Sequence, residues 1–230
     1  MHVPDGFLDA PTSIATGVVA AAGVAVALRG ARRELDDRTA PMAGLVAAFV
    51  FAAQMLNFPV GAGTSGHLLG GALAAVLVGP FTAALCLAVV LLVQGLLFAD
   101  GGVTALGTNI TLFSVVAVGV GWVVFLLCRR LLPKKLPLVP VSAGVSALVS
   151  VPVTALAFVG LFAVGGQAPV SLAAVTTAML GWHAVIGVGE ALITALVVSS
   201  VVATRPDLVH GARPLLSVRP LEVRTREVAR

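Results

Sequence analysis

The chain reads as long apolar runs separated by short polar breaks. Residues 12–28, 40–58, 107–128, 140–164 and 172–203 are each apolar enough to be a membrane span, which takes roughly 20 residues as a helix. The run from His67 to Ala99 is too long for one span. It contains Gly79-Pro80, and a proline removes a backbone donor and clashes with the preceding turn. Splitting the run there predicts two helices. The first starts no earlier than about Gly66 and has about 14 residues, or about 21 Å. The hydrocarbon core is about 30 Å thick, so "PVGAGTSGH" is expected to dip into the outer half of the membrane. Irregular backbone at that depth is tolerated only against protein or a wet cavity.

Composition agrees with the pattern. The 230 residues are 59% hydrophobic and 10% charged, against about 25% charged in soluble domains, which makes the chain an integral membrane protein. All 14 Lys and Arg fall in three segments: Arg29, Arg32, Arg33 and Arg38; Arg129, Arg130, Lys134 and Lys135; Arg205, Arg213, Arg219, Arg224, Arg226 and Arg230. Positive charge in short loops marks the cytoplasmic side. With all three on one side, an even number of crossings must separate the first two, and the split at Gly79 supplies four. The prediction is an all-α integral membrane protein of seven transmembrane helices. Residues 1–204 form one membrane domain with the N-terminus outside. Residues 205–230 form a flexible, basic cytoplasmic tail. The net charge of +4 belongs to these loops and does not imply nucleic acid. Cys86 and Cys128 lie far apart in apolar runs and suggest neither a disulfide nor a thiolate metal site.

On this topology the outer face carries His2, Asp5, Asp9, His67 and Asp100 with no Lys or Arg, which suits a cation. No basic residue precedes Arg29, unlike a secretion signal, so Met1-His2 is expected to be a finished terminus. Its free amine, the His2 amide nitrogen and the His2 imidazole can chelate one metal through fused five- and six-membered rings. His67 would complete four nitrogens in a plane, an arrangement that suits Ni(II) or Cu(II). Taken alone, a histidine at position 2 or in a loop more often just faces water.

"MHVPDGFLDAPTS", "GTSGHLLGG", "LLFADGGVTALGTNI" and "WHAVIGVGEALIT" together resemble the substrate-binding membrane component of cobalt/nickel energy-coupling-factor (ECF) transporters, the CbiM/NikM family. The resemblance runs from Met1 to about Ala203. It implies seven helices with the N-terminal segment inserted among them, and metal held by Met1, His2 and His67. "PDG" and "GTSGH" are closer to nickel-type than to cobalt-type members. It further implies Ni(II) or Co(II) as transported substrate with no bound organic cofactor, and location in a bacterial plasma membrane. The implied partners are a transmembrane coupling protein, two ATP-binding subunits and a small accessory membrane protein. No GxxxxGK[ST] phosphate loop occurs, so the chain is not an ATPase and uphill transport needs those subunits.

Gln94, Asn109, His183 and Glu190 lie in or at the ends of spans, where polar groups face a bundle interior or a cavity. His183 and Glu190 are seven apart and share a helix face. Gln94, Asn109, His183 and Ser65 are candidates for orienting the site or for a structural network, and Glu190 reads as structural. Asp100 reads as a turn former and His210 as without specific role. Ala43, Ala47 and Ala52, with Gly181, Gly187 and Gly189, allow close helix packing; the first set could also face the coupling protein. Two rivals remain. "GTSG" at 63–66 fits the GxSG of rhomboid-type intramembrane serine proteases, with Ser65 as nucleophile and His183 as base. A passive metal channel is the other, although a four-nitrogen site would hold an ion too tightly for fast conduction.

Overall fold

The computed structural model describes residues 1–37, 39–61 and 64–216. Arg38, Ala62, Gly63 and the part of the basic tail from 217 to 230 lie outside the described residues. Within them run α1 (Ala10–Ala31), α2 (Thr39–Met55), β1 (Phe58–Gly61), β2 (Thr64–Gly66), α3 (Gly71–Val78) and α4 (Pro80–Leu97). After these come α5 (Leu106–Leu131), α6 (Leu138–Gly165) and α7 (Leu172–Thr204). Five helices, α1 and α4 to α7, are long and apolar enough to cross a membrane. Large apolar side chains such as Ile14, Val18, Leu45, Val185 and Leu196 point away from the bundle, as a lipid-facing surface requires.

The break at Gly79-Pro80 falls where the sequence places it. Gly79 sits at φ +96°, ending α3, and Pro80 opens α4, where its missing N–H costs nothing. Glu34, from the connection after α1, supplies the cap. Its carboxylate accepts from Thr82 N–H (2.7 Å), the Thr82 hydroxyl (2.9 Å) and Phe81 N–H (3.3 Å). A Cβ on Gly79 would collide with that carboxylate.

α3 differs from expectation. It has eight residues rather than about 14, a length of about 12 Å, and every one of them is buried. The segment before it is not irregular throughout. β1 and β2 pair antiparallel, Phe58 with Gly66 and Pro59 with Ser65, and residues 67–70 then run into the bundle without helical structure. Glu190 of α7 accounts for the late helix start. Its two oxygens accept the N–H groups of Leu69 (2.7 Å) and Gly70 (2.9 Å), and Gly70 sits at φ +77°. Glu190 thus has the structural role assigned to it.

α3 is enclosed because its neighbours are small. Gly71 lies against Ala117 of α5, and Gly121 of α5 lies against Ala72, so closely that a Cβ on either would clash. Along α6, Ser142, Ser146, Ser150 and Thr154 form a buried stripe at four-residue spacing, each bonded to a carbonyl of its own helix. Such residues let membrane helices approach while keeping their hydroxyls paired. α1 and α5 are joined by threonines: the Thr16 and Thr108 hydroxyls are 2.7 Å apart, and the Thr111 hydroxyl donates to the Thr16 carbonyl. From Thr111 to Ala117, α5 widens into a π-helical stretch, a feature common near functional sites.

Packing continues beyond Thr204, where the sequence suggests a flexible tail. Pro206–Leu208 and His210–Leu215 form two 3₁₀ turns. Val209 and Ala212 are fully buried, and His210 packs on the Trp122 ring.

Replacing Glu34 with alanine strips the cap from α4 and leaves buried donors unpaired. The expected loss is about 1–2 kcal/mol, read as a lower midpoint of thermal unfolding for the purified protein in detergent.

Candidate metal-binding centre

The first nine residues run into the bundle and are paired on both sides. Val3 is held by Asn109 of α5, whose Oδ1 accepts the Val3 N–H (2.8 Å) and whose Nδ2 donates to the Val3 carbonyl (3.2 Å). The same carbonyl accepts from Gly102 N–H (2.9 Å). Asp5 Oδ1 accepts from the N–H and hydroxyl of Thr104. Gly6 turns the chain at φ +72°. Phe7 and Asp9 then bond to the loop after α6, through Gln167 N–H and the Gly165 carbonyl. Asp9 finally caps α1 by accepting from Thr12 N–H. Gly102 has to be glycine here, because a Cβ would overlap the Asp5 nitrogen.

This plug buries Met1 and His2 beside the loop after β2. Met1 and His67 are 0% and 1% exposed, His2 5%. The His2 and His67 rings stack with centroids 4.5 Å apart, and Phe113, from the π-helical stretch of α5, stacks on both. The Met1 nitrogen donates to Ser65 Oγ at 3.1 Å. His183 of α7 is fully buried and within electrostatic reach of the Met1 amine and of His67.

Hydrogen bonds fix which imidazole nitrogen is free. His67 Nδ1 donates to the Leu68 carbonyl (2.9 Å) and His183 Nδ1 to the Met179 carbonyl (2.8 Å). His2 Nδ1 faces Asp100 Oδ1 at 3.0 Å. In each ring the lone pair is therefore on Nε2, and all three Nε2 atoms are buried without a partner. Buried polar atoms normally find one.

The charge states suit metal binding. Burial brings the Met1 amine down to about 4, against the opposing pull of Asp100, so its lone pair is available at neutral pH. Burial also lowers His2, with its bond to Asp100 acting the other way. Burial alone would raise Asp100, but its bond to His2, its closeness to His2 and the Met1 amine, and a bond from Asn57 bring it below the usual carboxylate value. Neutral nitrogens thus face an ionised carboxylate in a cleft of about 480 Å³, lined by His2, Pro4, Asn57, Ser65 and Asp100 among others.

Met1, His2, His67 and Ser65 are in one place, and Asn109 clamps the strand that carries His2. Gln94 is fully buried with both side-chain polar atoms unpaired; its main-chain carbonyl accepts from Asp100 N–H. Asp100 is a correction, since it is more than a turn former and touches His2. Phe113 and the main chain of Val3 were missed altogether; an apolar residue in an apolar span gives no signal. No Ser–His pair of a protease forms: Ser65 Oγ is bonded to Met1, and the Nε2 of His183 has no partner.

The bundle and its buried nitrogen cluster define a multi-pass membrane protein of the transition-metal transporter class. Its fold matches a solved structure, described as a truncated transition metal transporter, with a TM-score of 0.82 at 30% identity, covering 88% of this chain and 99% of that one. Residues 2–208 match CbiM, the cobalt uptake substrate-specific transmembrane region, and the chain belongs to that family. A Haloquadratum walsbyi protein named for metal transport is 39% identical over 91% of this chain and 93% of its own length. An Archaeoglobus fulgidus protein named as a fused nickel transport protein is 40% identical over 91% of this chain and 68% of its own.

Replacing Asn109 with leucine leaves the Val3 amide without its partner, at about 1–3 kcal/mol, and should unseat the strand. His2 is then expected to react with diethyl pyrocarbonate, read by peptide mass spectrometry, while it stays protected in the unaltered protein.

Proposed function

We propose that the chain is the substrate-capturing component of an ECF-type transporter that takes up Ni(II) or Co(II). The metal is bound by the Met1 amine, the His2 amide nitrogen, the His2 imidazole and the His67 imidazole. The observation that carries this reading is the burial of these groups together, under a plug whose Val3 backbone is clamped by Asn109 and Gly102 and whose Asp5 side chain is held by Thr104. Among the described residues, no three His, Cys, Asp or Glu side chains are grouped to hold a metal, and the terminal amine and amide supply the further donors. A planar set of four nitrogens favours nickel.

The six-membered chelate ring closes only through His2 Nδ1, the atom that now faces Asp100. Binding therefore requires the His2 amide proton to leave and the Nδ1 proton to be lost or moved to Nε2, with the ring turned about its Cβ–Cγ bond, and it leaves Asp100 as a charged group in the cleft. The buried α3 with the hairpin before it, together with the 17-residue α2, complete seven crossings. The N-terminal plug is then outside and the basic segments are in the cytoplasm. ATP-binding subunits, a coupling protein and a small accessory membrane protein supply the drive, and the component topples to present metal inward, in a bacterial plasma membrane.

The test is metal content and visible absorption after Ni(II) loading. One nickel per chain with a yellow square-planar band is expected, and a single glycine added before Met1 should abolish both while the folded protein elutes unchanged. Equal loading with and without the added glycine would rule out the terminal chelate. Asp100→Asn should weaken binding by about 10–100-fold, and Ser65→Ala should change it little.

A further inference from the structure

The end of the bundle opposite the plug carries a second cavity that the transport reading leaves unused. It measures about 290 Å³ and lies between the last turns of α5 and the 3₁₀ turn His210–Leu215. Trp122 and Phe125 form its apolar wall, stacked 5.4 Å apart, and Trp122 also packs on His210. Arg129, Arg130, Lys134 and His210 supply the polar lining. Two of these carry buried nitrogens without a partner, Arg129 Nη1 and His210 Nδ1. Glu34, whose charge reaches His210, spends its oxygens on Phe81 and Thr82. It therefore does not occupy the arginine.

An unpaired guanidinium nitrogen, two further cations and an imidazole donor form a site for an oxyanion, and arginine matches phosphate geometry well. The surroundings say which phosphate. Leu126, Leu127 and Leu131 on the same end of α5 are 40%, 48% and 84% exposed, so an apolar surface adjoins the cations. A ligand with a phosphate head and hydrocarbon tails fits both parts. A tryptophan at that boundary is the usual membrane-interface residue, and basic pockets between helices on the cytoplasmic side suit anionic headgroups.

We infer that this pocket binds the phosphate headgroup of an anionic phospholipid of the cytoplasmic leaflet, clamping the His210–Leu215 turn to α5. Arg129 and His210 donate to the phosphate oxygens, Arg130 and Lys134 neutralise its charge, and the tails lie along Leu126 and Leu127. The site is separate from the metal centre, so it stands or falls independently of the proposed chelate.

The test is native mass spectrometry of the full chain in detergent, titrated with phosphatidylglycerol or phosphatidylcholine of the same acyl chains. One phosphatidylglycerol per chain should be retained well above phosphatidylcholine. The double change Arg129→Gln with Lys134→Gln should lower that retention by about fivefold per cation. Arg32→Gln with Lys135→Gln, the same charge loss outside the pocket, should leave it unchanged. His210→Phe keeps the ring on Trp122 but removes the donor, and should also weaken retention without altering elution of the folded protein. Equal retention of the two lipids, or equal loss in the two double variants, would overturn the proposal. So would displacement of phosphatidylglycerol by millimolar inorganic phosphate, which would make the pocket a free-anion site.

Discussion

Backbone that leaves a helix inside a membrane bundle finds no water to pair with, and the rest of this structure follows from how that is managed. Two such segments enter the same end of the bundle: the first nine residues, and the four between β2 and α3. Each is engaged by one buried polar side chain from a helix far away in sequence. Asn109 takes both backbone groups of Val3, and Glu190 takes the amides of Leu69 and Gly70. These two clamps bring His2 and His67 into ring contact. The cost of burying that carboxylate or amide is offset by the backbone groups it pairs, since unpaired amides there would each cost about 1–3 kcal/mol.

Room for the two segments comes from small residues and from local departures from regular helix. α3 is only eight residues long and buried on every side, which places the loop ahead of it deep in the bundle. Glycines at 71 and 121 let α3 and α5 touch at the backbone. The π-helical stretch of α5 sets Phe113 against both imidazoles. The N-terminal segment lies beside the loop ahead of α3, with Met1 bonded to Ser65 and His2 stacked on His67. Shortness of one helix and insertion of the terminus are therefore parts of one arrangement.

The two ends of the molecule are chemically opposite. At the plug end, carboxylates and neutral nitrogens line a cleft with no Lys or Arg nearby. At the other end, arginines and lysines gather around Trp122 and the 3₁₀ turns after α7. The same asymmetry is what the proposed capture of a cation at one end and of an anionic headgroup at the other would use.

Much of this was legible from residue order. Apolar runs set the helices, Gly79-Pro80 located the break between α3 and α4, and clustered basic residues set the topology expected. Met1, His2 and His67 stood out because imidazoles and a terminal amine are chemically distinctive wherever they occur. Partnership was not legible. Asp100 read as a turn former because "DGG" is turn chemistry, and nothing local says that His2, 98 residues away, rests on it. Val3 and Phe113 look like any apolar residue until the fold puts a backbone clamp on one and two imidazoles on the other. The late start of α3 was only partly legible: Gly70-Gly71 weakens helix there, but nothing local says that Glu190 captures the amides of Leu69 and Gly70. Local composition thus determined which segments are helices and which atoms could bind a metal. Only the tertiary structure decided which of those atoms meet, because pairing buried polar groups is a problem solved between helices and not along the chain.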